Sequence, residues 1–118
     1  MTVVRRAAER RGRRAETIAA WWLRLHGWRI LGRRMRTPAG EVDIIARRGH
    51  TLAFVEVKSR ATRAECEIAL DRHRLKRVAA AAGVLEPRYA GPATVSRIDA
   101  VLVAPGRLPV HLPDIWHG

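Results

Sequence analysis

Asp43, Glu56 and Lys58 are the side chains with chemistry to offer, and all three fall in one stretch from Gly40 to Ser59, G-E-V-D-I-I-A-R-R-G-H-T-L-A-F-V-E-V-K-S. Apolar, β-branched residues dominate both arms of the stretch. Gly49-His50 between them suits a two-residue type II′ hairpin loop, which takes Gly at its first central position. Counting back from a turn that pairs Arg48 with Thr51 sets Asp43 opposite Glu56 and Glu41 opposite Lys58. Alternation along the strands then puts Glu41, Asp43, Glu56 and Lys58 on one face, and Val42, Ile44, Ala46, Ala53, Val55 and Val57 on the other.

Like charges directly across a ladder are destabilising. Two carboxylates roughly 5 Å apart repel by about 3 kcal/mol at an effective dielectric of 20. A hard divalent cation such as Mg²⁺ or Mn²⁺ would turn that repulsion into attraction. Lys58, two residues beyond Glu56, would point to the same place, where an ammonium could orient an attacking water or stabilise charge developing on a phosphate. A solvated hairpin face is the plainer alternative. It accounts for Glu41 and Lys58 as a cross-strand ion pair, but not for acids interrupting arms this apolar.

The pattern D…E-x-K on adjacent strands resembles the signature of restriction-endonuclease-like nucleases. The longer strings G-E-V-D-I-I-A-R and F-V-E-V-K-S-R closely resemble the YraN-type family of small bacterial nuclease-like proteins, which is related to archaeal Holliday-junction resolvases. The resemblance runs from Gly12 to about His111. It implies a metal-dependent phosphodiesterase with Asp43 and Glu56 as metal ligands, a backbone carbonyl at Glu56–Val57 beside them, and Lys58 positioning the water. G-R-R-A-E, residues 12–16, is similar to the family's G-R-x-G-E, whose Glu approaches the metal from the first helix. That implicates Glu16, with Ala15 where the family has a second Gly. The family usually carries Asn where this chain has Arg34, and a basic residue near Arg74.

Lys plus Arg number 23 against 11 acids in 118 residues, for a net charge of +12. Up to Arg36 there are eleven arginines and two glutamates, a net of +9. A basic domain rich in Arg, whose planar fork matches phosphate, carries the electrostatic footprint of nucleic-acid binding. A genome favouring Arg codons would raise the total without crowding it at one end. Arg13, Arg14, Arg60 and Arg74 are the candidate phosphate contacts; they would position a backbone without reading sequence, which suits branched or otherwise structured DNA. DNA is expected before RNA. A nucleic-acid-binding protein without turnover and an RNA-binding assembly factor are the competing classes. Related resolvases pair to cut two strands, which leaves a homodimer open.

The length suits one domain spanning 1–118, with 1–14 a basic N-terminal extension of the first helix. No apolar run is long enough to cross a bilayer, and no apolar core follows the first arginines, so a cytoplasmic location is expected. The single Cys66 excludes a disulfide framework and a Cys-based zinc site. No His pair has metal-ligand spacing.

The elements that must hold the site follow from periodicity. Ala7 to His26 is a helix with Ala15, Ile18, Trp22 and Leu25 at helical spacing, Ala19 and Leu23 widening the stripe, and Gly27 capping its end. Neighbours on a helix point about 100° apart, so one of Trp21 and Trp22 faces inward and both serve packing before base stacking. Glu16 has Arg13 as its helical partner. Trp28 to Arg36 is a strand and Thr37–Gly40 a turn. Arg60 to Leu70 is a loop or short helix at the mouth of the site, with Glu65 and Glu67 in solvent. Asp71 caps a helix running to about Glu86, whose start carries Arg72, His73, Arg74, Lys76 and Arg77, against the helix dipole unless a phosphate docks nearby. Pro87 to Thr94 is a loop. Val95 to Val103 is a strand on which Arg97 and Asp99 form a structural pair, and Val110 to Trp116 adds a short edge strand. The order α-β-β-β-α-β predicts an α/β, restriction-endonuclease-like sandwich: a mixed central sheet flanked by helices.

Overall fold

The computed structural model describes residues 2–91 and 95–118. Among these residues three helices and five strands follow one another as α1 (Val3–Leu25), β1 (Arg29–Thr37), β2 (Gly40–Arg48), β3 (Thr51–Ser59), α2 (Arg63–Ala69), α3 (Arg72–Tyr89), β4 (Val95–Val103) and β5 (Val110–Leu112). The sheet has the order β1-β2-β3-β4-β5. Its pairs are antiparallel except β3 and β4, which run parallel across the α2–α3 crossover. This is the mixed sandwich the sequence predicts. Among the described residues no helix is long and apolar enough to cross a membrane.

The two faces of the sheet bury different sets. Ile44, Ala46, Ala53, Val55, Val101 and Val103 pack with Ala15, Ala19, Ala20 and Leu23 of α1. Val42, Ile45, Leu52, Phe54 and Ile98 pack under Val78, Ala81, Ala82 and Leu85 of α3. Cys66 of α2 seals Ala100 and Leu102 on the α3 side. β3, at the centre of the sheet, is covered on both faces, which explains its near-continuous apolar run.

The turn between β2 and β3 behaves as expected. Gly49 has φ +60°, and His50 is not among the positive-φ residues, which is the II′ pattern. Pairing runs from Arg48↔Thr51 to Ile44↔Val55 in the expected register. Gly27, with φ +86°, ends α1. The Trp28 amide donates to the Leu23 carbonyl and the Gly27 amide to that of Arg24, the two bonds of a Schellman cap. Asp71 caps α3 by accepting from the Arg74 amide at 2.7 Å.

Other expectations need correction. α1 starts four residues earlier than periodicity suggests, at Val3. Ala15, Ala19 and Leu23 of the expected stripe are buried and Ala20 joins them, while Ile18 is 40% and Leu25 76% exposed. Small alanines let the helix lie close to the sheet, and the larger apolar residues are turned to its flank. Trp22 is the inward-leaning tryptophan, its ring tilted against His26 with centroids 4.5 Å apart; Trp21 is exposed. Segment 60–70 contains the seven-residue α2, with Glu65 and Glu67 exposed as anticipated. α3 runs through Pro87 to Tyr89, so the loop expected over 87–94 begins later, and its residues 92–94 lie outside the described residues. β5 is three residues long, at the sheet edge.

Candidate functional site

The site exists because β2 and β3 part company. Their registered pairs stop at Ile44↔Val55. One residue on, Asp43 Oδ2 accepts a hydrogen bond from the Val57 amide at 2.8 Å, a side chain standing where a ladder carbonyl would be. Val42 packs toward α3 and Ile44 toward α1, so the strict alternation expected of Val42, Ile44 and Ala46 slips at Asp43. On the other flank, β1 pairs Arg33↔Ile44 and Met35↔Val42, and between them Arg34 takes φ +51°. The acid sits at a strand irregularity, a common place for re-aimed functional side chains. Glu41 and Lys58 do not form the expected cross-strand pair. Glu41 meets Arg36 at 3.6 Å, and Lys58 turns to Glu56.

Asp43, Glu16, Lys58 and Arg74 line one open depression of about 340 Å³, bounded by α1 at Gly12 and Ala15. Ala15, at 2% exposure, fits the close approach there without a glycine. Glu56 lies beneath, fully buried. Its Oε1 is 3.3 Å from Lys58 Nζ and receives the Arg74 guanidinium, with both Nε and Nη2 at 3.1 Å. Its Oε2 is buried with no partner. A buried carboxylate is costly unless paired and hydrogen-bonded; Glu56 is paired at Oε1 and left open at Oε2. Burial pushes the Asp43 carboxyl up from 3.8 to about 7. The charge of Glu56 adds to the push and Glu16 contributes in the same sense, while the Val57 amide and Arg74 oppose it.

This donor set suits a hard dication. Two carboxylates supply oxygens, one oxygen is orphaned, and the crowding that raises the Asp43 pKa is the kind of field a cation relieves. Among the described residues no three His, Cys, Asp or Glu side chains gather as a ready-made metal cluster. The third sequence candidate, Glu16, lines the same depression but is engaged by arginines. Its Oε1 accepts from Arg34 Nε at 2.7 Å, with Arg33 at 3.9 Å, in place of the expected Arg13. Arg13 and Arg14 are exposed on α1, and Arg60 lines the depression. Arg74 is engaged by Glu56, and Arg72 by the Gly118 carbonyl and the Trp116 ring, so two of the cations at the start of α3 have structural work.

Periodicity and charge did not reveal Arg34, and its backbone explains both its place and its effect. A left-handed conformation costs most residues about 1–2 kcal/mol and is tolerated by Asn, the residue that the family resemblance suggests at this position. Arg34→Asn is therefore expected to leave stability within about 1 kcal/mol of wild type, backbone relief offsetting a part-exposed ion pair. By releasing Glu16 it should tighten Mn²⁺ binding roughly tenfold, the scale on which groups around a metal ligand act. Calorimetric titration checks this; unchanged affinity would show that Glu16 plays no part.

Fold and site together define a mixed α/β sandwich with a carboxylate–lysine cluster where two central strands split. The profile described as "Uncharacterised protein family UPF0102" matches residues 15–103, and the chain belongs to that family, the YraN-type group. A UPF0102 protein of Sphingopyxis alaskensis is 60% identical over 97% of this chain and 98% of its own length. One from Rhizorhabdus wittichii is 62% identical over 97% of each. A more distant relative, from Caulobacter vibrioides, is 48% identical over 95% of this chain and 90% of its own.

Proposed function

We propose that this protein is a metal-dependent, endonuclease-like phosphodiesterase acting on nucleic acid, with structured or branched DNA as substrate and the cytoplasm as its place of work. The observation that carries the reading is the gathering of buried Glu56, one oxygen unpartnered, and Asp43, its pKa raised by burial, beside an ammonium 3.3 Å from Glu56. Asp43 and Glu56 would hold Mg²⁺ or Mn²⁺, which when bound supplies Lewis-acid polarisation of the scissile phosphate and a more acidic water. Lys58, its side chain 12% exposed, faces both the depression and Glu56, where it orients a water by hydrogen bonding and offsets charge on the phosphate. Arg74 pairs with Glu56 and holds it in place. Arg13, Arg14 and Arg60 on the surrounding surface hold the backbone through sequence-independent contacts.

A second reading, binding without turnover, draws on one observation: Glu56 and Glu16 are both already engaged by cations, so the site can be charge-satisfied without a metal. Cleavage of branched, single-stranded and duplex DNA with Mg²⁺, Mn²⁺ or chelator separates the two. Lys58→Ala is expected to lower metal-dependent cleavage by about 10²–10³-fold while DNA binding, followed by anisotropy, persists and weakens with salt. Cleavage that survives both Lys58→Ala and chelation would overturn the proposal.

A further inference from the structure

A second cleft adjoins the carboxylate depression along α1. It encloses about 600 Å³, within the ordinary range of ligand pockets. The two hollows share Arg11, Ala15, Ser59 and Arg60, so they form one continuous surface. Ile18, Val103 and Ala104 give the second cleft an apolar wall. Arg11, Arg14, Arg60 and Arg107 stand around it, and no carboxylate lines it. Arg11, Arg14 and Arg107 make no ion pair among the described residues, and the Arg60 side chain bonds only to the Ser59 carbonyl.

Four cations around an apolar recess ask for a ligand with an anionic edge and an apolar face. Water alone serves the guanidinium groups well but the recess poorly. A nucleotide supplies both parts: a phosphate for the arginines and a base face for the wall, with Arg planes available to stack on it. A base still paired and stacked in duplex cannot turn its face to such a wall; it must first leave the stack. Continuity with the depression orders the two subsites along one strand. Building on the phosphodiesterase reading, we infer that the cleft receives an unpaired nucleotide next to the phosphate held over Asp43. The substrate class is then DNA with a single-stranded flap, gap or branch, and continuous duplex is the poorer ligand.

The test uses a duplex carrying 2-aminopurine as the one unpaired base of a flap, and a matched continuous duplex, both in chelator so that binding is read without cleavage. Saturating protein is expected to shift the 2-aminopurine fluorescence of the flap. Ile18→Glu, at a position 40% exposed, should weaken flap binding about tenfold and duplex binding much less. Arg107→Glu, on an exposed side chain, tests the same cleft should Ile18→Glu fail to fold, which circular dichroism reports. Equal losses on flap and duplex, or no fluorescence shift at saturation, would overturn the inference. So would light scattering that shows a dimer lost in Ile18→Glu, since a second copy would then occupy the cleft. A protein that cuts duplex and flap alike with no such shift retains the phosphodiesterase reading and loses this one. A shift without any cleavage does the reverse.

Discussion

Asp43→Asn is expected to make the metal-free protein more stable at pH 8 and to abolish the metal-dependent cleavage proposed for it. Both outcomes follow from one carboxyl group. Its folded pKa is raised to about 7 from 3.8, first by burial and then by the charge of Glu56. Below about pH 4 the folded and unfolded chains both hold the proton, and the group costs nothing. As pH rises from about 4 toward 7 the unfolded chain releases it while the folded chain retains it, so stability falls; above about pH 7 the loss is complete. At 1.36 kcal/mol per pH unit the ceiling is about 4 kcal/mol. Asn keeps an oxygen for the Val57 amide and carries no charge to desolvate, so the variant should match wild type at pH 4 in urea unfolding and exceed it by a few kcal/mol at pH 8. Mg²⁺ or Mn²⁺ should reverse the order by stabilising wild type and not the variant, and binding should release a proton below pH 7. A variant no more stable than wild type at pH 8 would show that the field at this site is weaker than its burial implies. A stability penalty accepted in the free protein and lifted by ligand is the expected mark of a site kept for function.

The hairpin was legible because its information is local: Gly49 sets the turn, the turn sets the register, and alternation follows. The reading failed where a side chain entered the backbone ladder. Nothing in the pattern of residues 40–46 reports that Asp43 takes the Val57 amide, because the competing partner lies fourteen residues away. The slip that moves Val42 to the α3 face has the same origin. α1 was mis-phased for a different reason. Ala contributes little to an apolar stripe, so periodicity adds the larger Ile18 and Leu25 to Ala15, Ala19 and Leu23; the latter three are buried as expected, whereas close packing on the sheet takes Ala20 and leaves Ile18 and Leu25 outside. Arg13 is the helical cation nearest Glu16 in sequence, yet Arg34, in its left-handed conformation on β1, bonds to Glu16 from 18 residues away. Local patterns thus found the elements, while non-local hydrogen bonds decided how the acids Asp43, Glu56 and Glu16 are partnered.

Asp99→Ala should cost the fold about 3–5 kcal/mol, the usual penalty for removing one partner of a buried charge pair. Asp99 is fully buried on β4. Arg97 donates to it through Nε at 2.9 Å and Nη2 at 3.2 Å, His111 of β5 lies at 2.7 Å, and the Asp114 amide donates at 2.9 Å. One carboxylate therefore ties the edge strand and the C-terminal segment to the sheet. It also aims Arg97 over the Trp28 ring and His111 at its edge. Burial pushes its pKa up, but the bonds from His111, Asp114 and Arg97 outweigh burial and hold it below the ordinary 3.8. The sign is opposite to that of Asp43: the contribution is full above about pH 4 and is lost as pH falls through the lowered value. Wild type should accordingly show a stability maximum near pH 4–5, with Asp99 setting the acid limb and Asp43 the limb toward neutrality. Asp99→Asn should flatten the first limb and Asp43→Asn the second, each leaving the other unchanged, since the two acids share no partner and their effects should add. Urea midpoints of both variants and the double mutant across pH 2.5–8 provide the check. An acid limb that persists in Asp99→Asn would transfer the structural role to another carboxylate and leave Asp99 a bystander in its own network.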